Sequence, residues 1–190
     1  CRLPVLISSG KCGQESRFEF ENGVLTISGE GHIDNYTEDS LPLWYDYRQF
    51  IEAINIEQGI TGIGSYAFQS CVNVDKVEIT GNVSSIGGHA FNSCVKLENF
   101  TIPGSVTSIG DKSFYNCTEL ETIMFLGTTE PMIGDFAFTG SRVEAILVQV
   151  EYQGEKFGSF NAFKPSGKCN EHLYYRIDDR SLSITGEGPI

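Results

Sequence analysis

The chain has 190 residues, 40% of them hydrophobic and 12% aromatic, enough to fold around one core or a short series of stacked units. Its 25 Asp and Glu against 13 Lys and Arg give a net charge of -12, which argues against the basic footprint that nucleic acid or anionic lipid requires. No apolar run approaches the roughly 20 residues that span a bilayer; the chain opens at Cys1 without a complete secretory signal, so the amino end reads as trimmed, and "RLPVLISSG" is compatible with the tail of a signal.

Residues 12–33, "CGQESRFEFENGVLTISGEGHI", alternate apolar and polar side chains on both sides of Asn22-Gly23, which predicts strand, tight turn, strand. "LPLWYDYRQF" at 41–50 holds the single Trp and two Tyr, and reads as a cap over the segment after it. From residue 51 the chain repeats itself. "IGSYAFQSCVNVDKVEI" at 63–79 returns as "IGGHAFNSCVKLENFTI" at 86–102, and Ile63, Ile86, Ile109 and Ile133 each precede a glycine at spacings of 23, 23 and 24. Phe68, Phe91, Phe114 and Phe138 keep the same step, as do Cys71, Cys94 and Cys117. An apolar-x-x-apolar-x-apolar block recurs five times, as Ile51/Ile54/Ile56, Val74/Val77/Ile79, Leu97/Phe100/Ile102, Leu120/Ile123/Phe125 and Val143/Ile146/Val148.

The alternating end of each block is the period of a half-buried strand, and one strand every 23 residues predicts a stack of parallel strands, a leucine-rich-repeat solenoid. The segments between strands have room for a turn and one or two turns of helix, so the expected fold class is an α/β repeat with a parallel β-sheet on one face, short helices or turns on the opposite face, and the β-hairpin in front. Ser65, Asp111 and Asp135 stand where a side-chain oxygen caps such a helix, with Gly88 in the fourth copy. Equivalent residues of successive repeats then lie about 4.8 Å apart, so the phenylalanines form one inward ladder and the cysteines a second. A reactive thiol needs a basic, partly exposed setting with a histidine nearby. His89 occupies a variable position, aligned with Tyr66, Lys112 and Phe136, and supplies none. "AFxxC" therefore reads as core.

The pattern I-G-x-x-A-F-x-x-C-x-x-L-x-x-[VI]-x-I-P-x-[SG]-V-T-x-I-G, clearest over 86–110, resembles the BspA-like leucine-rich repeats of surface proteins from anaerobic bacteria and protists. Residues 11–50 resemble the leader that precedes such arrays. The resemblance divides the chain into a leader at 1–50 (β-hairpin plus Trp/Tyr-rich cap), repeats at 51–150, a cap or linker at 151–167, and a second leader start at 168–190. The second leader rests on "SGKCNEHLYYRIDDRSLSITGEGPI", which copies the segment from Ser9 at an offset of 157 and again predicts a hairpin, around Asp178-Asp179. A longer protein built from leader-plus-array units is the expectation. The family resemblance implies a cell-surface or secreted module that binds host matrix protein, a host-cell protein or glycan, or other microbes. A passive spacer and an intracellular interaction scaffold are the alternatives.

Enzymatic motifs are missing from the sequence. Gly29-Glu30-Gly31 lacks the third glycine of a dinucleotide fingerprint and recurs as Gly186-Glu187-Gly188, a turn; no C-x-x-C and no D-x-D-x-D-G loop is present. The reading is of a non-enzyme without cofactor or metal. Cys1, Cys12 and Cys169 stand outside the ladder, and a Cys1–Cys12 bridge is one pairing open to them. Sequons at Asn35, Asn82 and Asn99 are candidate glycan sites; a fourth, at Asn116, abuts the inward Cys117.

Binding is expected on the outer face of the strands. Stacking the blocks aligns Glu52, Asp75, Glu98, Glu121 and Glu144 into an acidic column, which reads as a solvated edge first and as a site for a basic partner second. The columns Asn55, Glu78, Thr101, Met124, Leu147 and Glu57, Thr80, Pro103, Leu126, Gln149 begin polar and end apolar. Met124, Leu126 and Leu147, bordered by Glu98, Glu121 and Glu144, are the candidate contact residues. The competing expectation is that "YQGEKFGSF", with Phe157 and Phe160, folds over them.

Overall fold

The computed structural model describes residues 8–149, 151–164, 173–178 and 181–186. The chain begins with β1 (Ser9–Lys11), β2 (Glu15–Glu21) and β3 (Val24–His32), all antiparallel, and β2 turns into β3 through Asn22-Gly23. Both turn residues have positive φ, 49° and 82°, the conformation that a two-residue hairpin turn demands and that Asn and Gly tolerate best. A 3₁₀ helix at Tyr45–Phe50 comes next, and it is the only helix among the described residues.

The first four repeats each contribute a four-residue strand, a shorter strand and a turn, and the fifth contributes its four-residue strand. The long strands are β4 (Ala53–Ile56), followed by β5 (Ile60–Gly62), then β6 (Lys76–Ile79) with β7 (Ser85–Ile86), β8 (Asn99–Ile102) with β9 (Ser108–Ile109), β10 (Thr122–Phe125) with β11 (Met132–Ile133), and β12 (Ala145–Val148). Pairing is parallel and in repeat register: Ile54 faces Val77, Phe100 faces Ile123, and Ile123 faces Ile146. The second strand of the hairpin opens this ladder, since β3 runs parallel to β4 and, past an irregularity at Gly31/His32, to β5. On the second side β7, β9 and β11 pair in the same sense, and Ile63 bridges to Ile86. Between β6 and β8 the long-strand pairing lapses. These neighbours share no paired register, although the same two repeats stay bonded through β7–β9 and through their turns.

The expected capped helices do not form. Residues 64–70, 87–93, 110–116 and 134–140 are turns, and in the first three every second N–H donates to the next repeat instead of along its own axis. Tyr66, Phe68 and Ser70 donate to the Gly88, Ala90 and Asn92 carbonyls; His89, Phe91 and Ser93 donate to Asp111, Ser113 and Tyr115; Lys112, Phe114 and Asn116 donate to Asp135, Ala137 and Thr139. Reaching across in this way requires left-handed backbone twice per repeat. Tyr66, His89, Lys112 and Phe136 all have φ of 53–60°, and Ser70, Ser93 and Asn116 have φ of 58–61° with Gly140 completing the series at 83°. For a non-glycine residue this costs about 1–2 kcal/mol, which the cross-repeat hydrogen bonds offset. Of the expected caps, Asp111 acts across repeats, its Oδ1 accepting the Asp135 N–H at 2.8 Å, while the Ser65 position is itself capped, its N–H donating to Asn35 Oδ1 at 2.8 Å.

The glycine after each isoleucine is fixed by the same close stacking. A Cβ on Gly87 would stand 2.4 Å from the Ser65 nitrogen, and one on Gly110 would stand 2.4 Å from the Gly88 nitrogen, so backbone meets backbone with no room for a side chain. Inside, Trp44, Phe68, Phe91, Phe114 and Phe138 form one continuous stack with centroid spacings of 5.9, 5.2, 5.3 and 5.4 Å. Cys71, Cys94 and Cys117 are buried free thiols beside it, and the Cys94 and Cys117 thiols donate to the Phe68 and Phe91 carbonyls. Cys12 is also free and buried, against Ser16; Cys1 and Cys169 lie outside the described residues.

The two ends of the stack differ. At the first repeat the outward carbonyls are met by the chain itself, with Trp44 Nε1–H donating to Ala67 at 2.8 Å and the Tyr36 N–H donating to Ser65 at 2.9 Å. Trp44→Phe keeps the stack but leaves the buried Ala67 carbonyl without its donor. Its expected cost is about 1–3 kcal/mol, read from the urea midpoint. At the other end β13 (Lys156–Phe157) and β14 (Phe160–Phe163) form a hairpin, and β14 joins β12 as a further parallel strand. Beyond this, β15 (Leu173–Asp178) and β16 (Ser181–Gly186) pair antiparallel, with Asp178 facing Ser181.

Candidate functional site

Strand parity decides which side chains face out. Ile123, Phe125, Ile146 and Val148 are buried, so Thr122, Met124, Ala145 and Leu147 occupy the opposite face of β10 and β12. Met124 and Leu147 face each other in register, and Leu147 in turn faces Phe163 of β14. Met124 and Leu147 are half-buried, and Phe163 is 47% exposed. Three apolar side chains from adjacent parallel strands thus form one strip. Leu126, also half-buried, comes directly after β10, two residues past Met124, and its N–H donates to Ile102.

Phe163 escaped sequence reasoning because it lies 16 residues after Leu147, out of step with the 23-residue period. The detectable signal was the alternation in "FNAF" itself. Phe157 and Phe160, for their part, do not cover the strip. Phe157 is buried with its ring 5.0 Å from Phe125, and Phe160 lies edge-on to Phe138 at 5.7 Å, so both plug the inner core at the end of the stack.

The acidic column is where the sequence puts it along the stack but not on the sheet face. Glu52, Asp75, Glu98, Glu121 and Glu144 each stand one residue before a long strand, all exposed, and so form a rim along one border of the face. The face beside them is carried by Ala53, Lys76, Asn99, Thr122 and Ala145, a column not anticipated because the two-residue gap in each block shifts the parity. Arg142 reaches Glu121 at 3.4 Å, with both side chains more than half exposed, a pairing that contributes little stability. Asn35, Asn82 and Asn99 are exposed, as is Asn116, although Asn35 already holds the Ser65 N–H through its Oδ1.

Nothing in the thiol ladder suits nucleophilic chemistry. Burial pushes the Cys71 and Cys117 thiols up to about 12, and Cys94, between them, well above its ordinary value. His89 is lowered, first by burial and then by Lys112, and its ring stacks on Tyr66 at 4.5 Å while Nδ1 meets Asn92. Among the described residues no group of three or more His, Cys, Asp or Glu could hold a metal ion, and no helix is long and apolar enough to cross a membrane.

With this repeat geometry in view, the sequence matches the family model for the BspA type leucine rich repeat region in six copies across residues 44–166. The chain belongs to the BspA-type leucine-rich-repeat family. That span extends beyond residues 51–150 at both ends and takes in Trp44 and β14. Families of this type are generally protein-interaction modules and typically not enzymes. Solved structures similar to this BspA-type chain include a leucine-rich repeat protein from Eubacterium ventriosum, with TM-score 0.49 and 21% identity over 93% of this chain and 48% of the other. A leucine rich cell surface protein from Faecalibacterium prausnitzii gives 0.42 and 18% over 89% and 58%, and the pneumococcal vaccine antigen PcpA 0.47 and 14% over 80% and 43%. The chain spans about half the length of these neighbours. No curated relative matches it.

Proposed function

We propose that this chain is a solenoid adhesion module of a cell-surface or secreted protein, binding host matrix or host-cell protein through the outer face of its long strands. The observation that carries the reading is the Met124–Leu147–Phe163 strip: three in-register large apolar side chains on the outer face, where a solvated surface gains nothing from them. Glu98, Glu121 and Glu144 lie on the rim of the same face, with Glu121 and Glu144 one column away from the strip across Thr122 and Ala145, which favours a partner that presents an apolar residue with Lys or Arg a few residues away. The acidic rim steers such a partner toward the face, and the apolar strip holds it once water is displaced.

Met124→Asp combined with Leu147→Asp places two charges on the strip without touching the buried column. Attachment to matrix-coated surfaces and to cultured host cells is expected to fall by about thirtyfold or more, the effect of losing a central contact of roughly 2 kcal/mol. The thermal midpoint is expected to move by only a few degrees. Unchanged attachment would remove this face from consideration and favour a spacer role. Collapse of the fold would mean that the strip is internal packing.

A further inference from the structure

The last turn of the stack repeats a hydrogen-bonding pattern whose other half is not found among the described residues. In the three preceding turns, the N–H groups at positions equivalent to Phe136, Phe138 and Gly140 all donate to carbonyls of the next repeat. Those of Phe136, Phe138 and Gly140 donate to nothing among the described residues. Asp135 continues the series in the same way: Asp111 and Asn35 each accept an N–H of the following turn, whereas the exposed Asp135 carboxylate accepts none among the described residues. Beside these groups lies a cleft of about 320 Å³ lined by Ile133, Phe136, Ala137, Phe138, Gly158 and Phe160. Phe136 stands 61% exposed at its mouth. Gly158, on the far wall, is anchored by its N–H to the Glu130 carboxylate.

Three donors on alternate residues match the spacing of peptide carbonyls, where a compact anion would need them converging on one point. A second copy of the chain does not fit. Its own last turn would bring donors against donors, because the Phe136 and Phe138 carbonyls are already taken by the Thr139 and Ser141 N–H groups. Its first turn offers carbonyls, but those of Ser65 and Ala67 are occupied by Tyr36 and Trp44. We propose that the open end of the last repeat, with its Phe136, Phe138 and Gly140 N–H row and the adjoining aromatic cleft, is a docking site for an extended peptide segment of a partner protein. The segment adds to the ladder through its carbonyls at alternate residues, gives one N–H to Asp135, and places an apolar side chain in the cleft. This site lies at the end of the stack, apart from the strip on the sheet face.

Amide hydrogen exchange by NMR tests this on the intact chain, with a synthetic peptide of residues 84–95 (SSIGGHAFNSCV, carrying Cys94→Ser) as probe, since this stretch supplies the Gly88, Ala90 and Asn92 carbonyls. In the free protein the Phe136, Phe138 and Gly140 amides should exchange far faster than those of Phe91, Ser93 and Phe114. Saturating peptide should slow those three by about tenfold or more while leaving Met124 and Leu147 unperturbed. Ser159→Trp, which fills the cleft from an exposed position, should abolish the effect, and Asp135→Ala should weaken peptide binding about tenfold. Protection already present in the free protein would overturn the proposal by showing that the chain's own residues cover the end. Amides that remain unprotected at millimolar peptide, or protection that appears only with dimerisation in sedimentation, would overturn it as well.

Discussion

Replacing Phe91 or Phe114 with alanine is expected to lower the unfolding free energy by about 3–5 kcal/mol, the cost of emptying a large buried site that cannot collapse. Both rings are fully buried. Phe91 stacks on Phe68 and Phe114 and meets Phe100 edge-on at 5.2 Å; Phe114 stacks on Phe91 and Phe138 and meets Phe100 at 4.7 Å. Each truncation therefore removes contacts to two neighbouring repeats at once. Since a repeat is held only by its neighbours, the loss falls on the cooperative unit rather than on one layer. For a chain of this size the thermal midpoint should drop by roughly 10 °C. Phe138→Ala should cost less, because its outer side meets only the edge of Phe160 and the adjoining cleft gives water access. Losses below about 1 kcal/mol at all three positions would show that the rings do not stack as one column.

The thiol ladder gives the second large effect. Cys71, Cys94 and Cys117 should react with iodoacetamide in the native state on the order of a thousandfold more slowly than in denaturant, since labelling must wait for an opening that costs about 4 kcal/mol or more. Rapid native labelling of Cys94 would break the ladder. The same burial predicts a pH dependence. The folded values of Cys71 and Cys117 are raised to about 12 from 9.0, so below about pH 9 the thiols are neutral in both states and their contribution to stability is complete. Above that the unfolded chain ionises while the folded one does not, and stability is lost as pH rises through the folded values. Urea midpoints measured from pH 8 upward should therefore fall, and Cys71→Ala should flatten the fall.

The inward columns were legible in the sequence because stacking imposes one volume at one position. A ring at Phe91 requires a ring at Phe114, and the glycine after each isoleucine is dictated by a neighbouring backbone. The turns were not legible, for a physical reason. In the first three, every second N–H is satisfied by a carbonyl 22 or 23 residues away, so local capping residues such as Asp111 suggested a helix that the long-range bonds forbid. The left-handed residues gave little warning, since Tyr66, His89, Lys112 and Phe136 have nothing in common but their place in the ladder; Gly140 and Asn116 in the second series were the only compositional hint. Of the candidate face, Met124 and Leu147 could be read from the period, while Phe163 and the position of the acidic rim depended on a strand out of step and on parity at the bend.

The lapse between β6 and β8 gives the array a mechanical weak line. On that side the second and third repeats rest on side-chain packing, while β7–β9 and the turn bonds from His89, Phe91 and Ser93 tie the other two sides. The long-strand face therefore carries one joint with no strand-to-strand register, while the other two sides of the same repeats stay bonded. The joint falls between the half of the face that begins polar and the half that carries Met124 and Leu147, so the two halves belong to separate sheets.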